Sequence, residues 1–204
     1  MSTEYTNREP LGCGSSYLHK GSKGLVSVPL DSDFLSRGFI FIDGQIDRPL
    51  ANRFLKEMMY LSDKPDPVKI VINSDGGEVS AGLMIYDVIR GSKKEIDIFC
   101  TGRAASMAAV ILASGSPGRR HILAHSSVMI HEVLLGGGVG GSATSISKIS
   151  QSIMEVRDLV NEILAKHTGK TTDEINKATS FDNIMNAEQA IEFGIVDDIV
   201  ESVI

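Results

Sequence analysis

An α/β fold with a mainly parallel sheet is predicted by three observations. A strand–helix alternation repeats three times, two of the strands run directly into glycine-bearing turns, and capping residues mark several helix starts. The 204 residues suit one domain, and 42% hydrophobic content is enough for a core.

The first unit opens with Gly38-Phe39-Ile40-Phe41-Ile42-Asp43-Gly44, an almost wholly apolar run bounded by glycines, which reads as a buried strand. Asp47 then caps a helix with Pro49 in its first turn, running to about Ser62; Leu50, Phe54, Met58 and Leu61 repeat at helical spacing as a core stripe. The second strand is Pro67 to Asn73. Ser74-Asp75-Gly76-Gly77-Glu78 breaks it, and a helix follows from about Val79 to Arg90.

The third strand, Glu95 to Thr101, leads into TGRAASMAAVILASG, residues 101–115. Gly102 makes the turn, Ser106 sits where turn becomes helix, and the apolar segment is long enough for three helical turns. Ala104, Ala105, Ala108 and Ala109 let this turn lie against another backbone. Ser106 is then either a plain cap or a nucleophile whose developing charge lies near a helix N-terminus. Both turns open at the carboxyl ends of their strands, where α/β sheets carry their sites.

Arg120 to Leu123 and Ser127 to Ile130 are short strands. The tract Gly136-Gly137-Gly138-Val139-Gly140-Gly141-Ser142 lacks the GK[ST] ending of a phosphate loop and reads as a side-chain-free segment able to lie extended. A long amphipathic helix follows from about Ala143 to Lys166, with Ile146, Ile149, Ile153, Val156 and Val160 in period. Its length exceeds what the preceding core can cover, which implies a partner, a second copy of the chain. Thr171 to Glu174 and Asn186 to Gln189 are capping boxes, the second helix ending at Gly194, and Ile195 to Val200 closes as a strand. Residues 1–36 lack clean periodicity and read as an N-terminal arm, partly mobile, in which Leu25, Val26, Val28 and Leu30 form a short strand or docking segment.

Composition excludes several classes. A net charge of -6, with no basic run and only 5% aromatics, argues against nucleic acid. The polar N-terminus has no apolar signal core, and no apolar run approaches a membrane span. Cys13 and Cys100 are the only cysteines. A disulfide between them is not expected, and the chain reads as a protein of a reducing compartment such as the cytoplasm.

Of the five histidines, His19 lies in the arm, His121 and His125 flank a turn without metal-pair spacing, and His167 ends the long helix, where a cation suits the dipole. His131 ends the strand Ser127 to Ile130 and precedes Glu132. No Cys/His/Asp/Glu set makes a metal site, and no cofactor is expected.

Taken together, IFIDGQID, VINSDGG, AGLMIYDVI, CTGRAASMAAVILASG, SSVMIHEV with its glycine tail, ILAKHTGKTTDEI and NAEQAIEFGIVDDIV resemble the ClpP peptidases in order and spacing, from about Gly38 to the C-terminus. The resemblance implies a ClpP/crotonase-type repeated β-β-α superhelix over residues 37–204, with a projecting handle at about 132–168 and the 1–36 arm forming an axial loop. It implies Ser106 as nucleophile, His131 as base, Asp182 as its orienting carboxylate, and an oxyanion hole from the backbone N–H groups of Gly77 and Met107. It further implies ATP-independent cleavage of short peptides, two stacked heptameric rings, and a hexameric AAA+ unfoldase of the ClpX, ClpA or ClpC kind. The alternatives are a non-catalytic or weakly active structural ring subunit and, ranked last, acyl-CoA chemistry on the crotonase fold.

Two departures stand out against the family pattern. Asp75 replaces the usual proline of N-S-P-G-G, and is expected to slow the chemistry unless its side chain points to solvent. Glu132-Val133 replaces the usual Q-P after the histidine. A third, smaller change puts Ala108 where glycine is commonest.

Overall fold

A computed structural model of the chain describes residues 15–21, 24–136 and 140–203. Cys13 and Gly137 to Val139 of the glycine tract lie outside the described residues.

The first described elements fall within the arm: strands β1 (Ser16–Gly21) and β2 (Gly24–Pro29) form an antiparallel hairpin, followed by helix α1 (Leu30–Ser36). Leu18, Leu25 and Val26 are exposed on this hairpin. Neither strand buries a face, so neither needs the alternation that makes a half-buried strand legible.

Next come β3 (Phe39–Ile46), α2 (Arg48–Leu61), β4 (Val68–Gly77), α3 (Val79–Gly91), β5 (Ile96–Ala105) and α4 (Met107–Ala113). Strands β3, β4 and β5 pair in parallel, as the repeated strand–helix units require. Asp47 accepts a hydrogen bond from the Leu50 N–H at 2.9 Å, and Leu50, Phe54, Met58 and Leu61 are buried.

Two strands run further than their apolar stretches suggest. β4 continues to Gly77 rather than ending at Asn73. A register shift at Asp43/Gln45 of β3 lets Gln45 pair with Gly76 and Ile46 with Gly77. β5 continues through Gly102 to Ala105 because its far end finds a second partner strand. Consequently α4 starts late and is a short helix of 7 residues, buried along its whole length.

Strands β6 (Arg120–Leu123) and β7 (Ser127–Ile130) both pair with β5 in parallel, β6 beside Ile98 to Cys100 and β7 beside Arg103 to Ala105. The sheet thus forks at β5. After α5 (Ala143–Thr168) and α6 (Thr172–Thr179) come β8 (Asn183–Met185), antiparallel to β7, then α7 (Ala187–Phe193) and β9 (Asp198–Val200), parallel to β6. The capping boxes at Thr171 and Asn186 are formed, and Gly194 ends α7 with φ 94°.

The core combines Ile40, Ile42, Ile70, Ile72 and Ile98 of the sheet with Phe54, Ile85, Ile111 and Leu112 of the helices. Each such side chain contributes about 1.5–3 kcal/mol on leaving water. Helix α5 buries only Val160, Asn161, Ile163 and Leu164, near its C-terminal end, while Ile146, Met154 and Leu159 are exposed. The first part of its apolar stripe is therefore uncovered in the single chain.

His167 departs from the expected capping cation. Burial, with Arg90, Lys166 and Arg120 nearby, lowers its pKa to about 4, so the ring is neutral at pH 7. It lies 3.1 Å from the Tyr86 hydroxyl through Nε2. No helix among the described residues is long and apolar enough to cross a membrane.

Candidate active site

Ser106 stands between β5 and α4 with φ 55° and ψ -125°, the sole non-glycine residue at positive φ among the described residues. Such a conformation costs about 1–3 kcal/mol and persists only where its surroundings fix it. Here the Ser106 N–H donates to the Met129 carbonyl at 2.8 Å, tying it to β7, and its own carbonyl accepts from the Ala109 N–H at 3.0 Å. The side chain makes no capping hydrogen bond. The plain-cap alternative therefore fails at this residue, and the hydroxyl is left to face a cavity.

That cavity has a volume of about 240 Å³ and contains Ser106 and His131 together. Val110 and Ile130 form part of its apolar wall, and Val160 and Leu164 reach it from the buried end of α5. Gly77 and Met107 also line it. Met107 is the first residue of α4, so its N–H has no acceptor within the helix.

Gly76, unnoticed in the sequence for any role of its own, is the residue pressed against Ser106. A Cβ there would lie 2.7 Å from Ser106 Cβ and 2.6 Å from the Ala105 carbonyl oxygen, and its φ is 92°. Gly77 instead faces β3, where a Cβ would lie 2.1 Å from the Ile46 carbonyl oxygen. Ser74 has a role that the sequence does not single out either. Buried, it donates to the Gly44 carbonyl and accepts from the Gly76 N–H at 3.0 Å, locking the loop that carries both glycines. Only its place inside N-S-D-G-G hints at this.

Asp182 does not line the cavity. Its relation to His131 follows from register: Val128 pairs with Met185, Met129 with Ile184, and Ile130 with Asn183 across β7 and β8. The paired ladder ends at Ile130–Asn183, one residue before His131 and one residue after Asp182. No hydrogen bond links the side chains of Ser106, His131 and Asp182 among the described residues; Ser106 and His131 share the cavity, and Asp182 adjoins the end of the β7–β8 ladder.

Asp75 points outward at the cavity mouth. Its side chain is 85% exposed and its Oδ1 lies 3.1 Å from Arg103 Nε. The condition under which its charge is not expected to slow chemistry is thus met. The sequence does not single out Arg103; it becomes Asp75's partner only because β5 extends beside β4.

Other candidates fall away. Cys100 is buried and its thiol is pushed up to about 12 by burial, which leaves it protonated and inert. His121 stacks on Phe99 and bonds Asp198 through Nδ1. Among the described residues no group of His, Cys, Asp and Glu could hold a metal ion. A larger cavity of about 570 Å³ near α1, β3 and α2 includes Phe34, Phe41, Arg53 and Glu57 and shares no lining residue with the Ser106 cavity.

The architecture is that of an α/β protein of the ClpP/crotonase type, with a serine held on a strained strand-to-helix turn. The Clp protease family model matches residues 22–203, and the chain belongs to that family. The match covers nearly the whole chain, the hairpin's second strand and α5 included.

Proposed function

We propose that the chain is a serine endopeptidase, the proteolytic subunit of a self-compartmentalised Clp-type protease. The observation that carries this is Ser106, strained, free of capping, and sharing one cavity with His131. Family membership supports the peptidase class.

In this reading Ser106 Oγ attacks the scissile carbonyl carbon and its proton passes to His131. The oxyanion is held by the N–H groups of Gly77 and Met107. Asp182, which adjoins the end of the β7–β8 ladder, fixes the imidazole tautomer of His131 and stabilises the imidazolium. Collapse breaks the C–N bond, His131 protonates the departing amine, and an ester to Ser106 remains. Water, deprotonated by His131, attacks the ester, releasing the acid and restoring Ser106. None of these steps requires ATP. Catalytic hydrogen bonds of this kind tighten when substrate binds.

The uncovered stripe of α5 supports association of copies through the handles, for which two stacked heptameric rings are the proposed arrangement. Folded proteins would then need a hexameric AAA+ unfoldase. An extended peptide would lie beside the segment after His131 as an added strand, read mainly through its main chain.

The purified chain should cleave short fluorogenic peptides without ATP, and a fluorophosphonate should label Ser106. Ser106→Ala should abolish both. Labelling at another residue defeats the assignment. The absence of hydrogen bonds among Ser106, His131 and Asp182 favours a second reading, a weakly active or structural ring subunit. Turnover by the chain alone separates the two, and size measurement in solution tests the rings.

A further inference from the structure

The cavity beside Ser106 is unequal in its chemistry. Its depth is apolar, with Val110, Ile130, Val160 and Leu164, and no lysine or arginine lines it. Two carboxylates, Asp75 and Glu132, stand among the lining residues, both exposed to solvent. They differ in one respect. Asp75 is already matched by Arg103 at 3.1 Å. Glu132 makes no side-chain hydrogen bond or ion pair among the described residues.

An unmatched carboxylate above an apolar cavity selects for a side chain with an aliphatic stem and a cationic end. The stem replaces water against the apolar wall, and the ammonium stays at the wet mouth where Glu132 meets it. A carboxylate on the substrate would face Glu132 with like charge, and an uncharged stem would gain burial alone. Arg103 does not cancel the field of Glu132, because its guanidinium is engaged by Asp75.

We propose that Glu132 is a specificity-determining residue, favouring lysine over uncharged residues of the same length immediately before the scissile bond. This rests on the peptidase reading above. It goes beyond it by naming the substrate side chain and the group that reads it. Glu132 takes no part in bond making or breaking.

The test uses the assembled, full-length protein and three peptides identical except at that position, which carries lysine, norleucine or glutamate. Norleucine has the same stem as lysine without its charge. The expected order of kcat/KM is lysine, norleucine, glutamate. Glu132→Gln should lower the lysine-to-norleucine ratio about threefold to fivefold, in line with a solvent-facing ion pair. Raising salt tenfold, which shortens the screening length about threefold, should narrow the same ratio in the unaltered protein. This second measurement needs no variant and so cannot be lost to misfolding. Cleavage with a ratio indifferent to salt and to Glu132→Gln overturns this inference alone. Failure to cleave any of the three peptides overturns the peptidase reading, and this inference with it.

Discussion

Arg103 Nε lies 3.1 Å from Asp75 Oδ1 at the mouth of the Ser106 cavity, joining the end of β5 to the loop of β4. The pair keeps a carboxylate from acting as a free negative charge near the proposed oxyanion site. Arg103→Ala should lower kcat/KM about twofold to fivefold, the scale of an exposed pair. Adding Asp75→Asn to that variant should recover most of the loss. Peptidase assays on the single and double variants check this. Asp75→Pro should bring no large gain, since the side chain is 85% exposed and already paired.

Gly76 carries a sharper expectation. A methyl group there would meet Ser106 Cβ at 2.7 Å and the Ala105 carbonyl oxygen at 2.6 Å. Gly76→Ala should reduce kcat about a hundredfold or more by displacing the serine from its donors. Gly91 is the control: it ends α3 without a positive φ, and a Cβ there would meet nothing within 4 Å. Gly91→Ala should retain activity and raise stability by about 0.5–1 kcal/mol, read as a higher Tm.

Arg120 ties three parts of the chain. Only 8% of its side chain is exposed; it donates to Asp197 and to the carbonyls of His167 at 3.0 Å and Gly194 at 2.8 Å. Burial works to raise the Asp197 carboxyl, but its hydrogen bonds from Arg120 outweigh this and hold it below the usual range. Arg120→Met should cost about 1–3 kcal/mol in denaturant unfolding, since it leaves two carbonyls without their donor while Asp197 keeps only the backbone N–H groups of Gly118 and position 120.

His167 sets an acid limit. Its folded pKa is about 4, against 6.5 for a free imidazole, with burial the main cause and Arg90, Lys166 and Arg120 adding to it. The unfolded chain therefore takes up this proton first as pH falls. The stability involved is complete above pH 6.5 and is lost as pH drops toward 4. Allowing for solvent screening of the half-buried ring, the loss is about 1 kcal/mol. Urea unfolding at several pH values should show it, and His167→Gln should flatten that part of the profile.

The strand–helix order from β3 to α4, the caps at Asp47, Thr171 and Asn186, and the long helix α5 were legible in the sequence alone, because each follows from contacts between residues near in the chain or from an apolar period, whereas α1 and β8 were not. Ser106 could be picked out as a candidate there, and His131 and Asp182 through the family resemblance. What the sequence could not decide was distance. The hairpin of β1 and β2 gives no alternation because neither strand buries a face. The true ends of β4 and β5 depend on partners far along the chain, and with them go the strain at Ser106, the closeness of Gly76 and the Asp75–Arg103 pair. Local chemistry fixes which elements form. Only the packing of strands distant in sequence fixes which side chains meet.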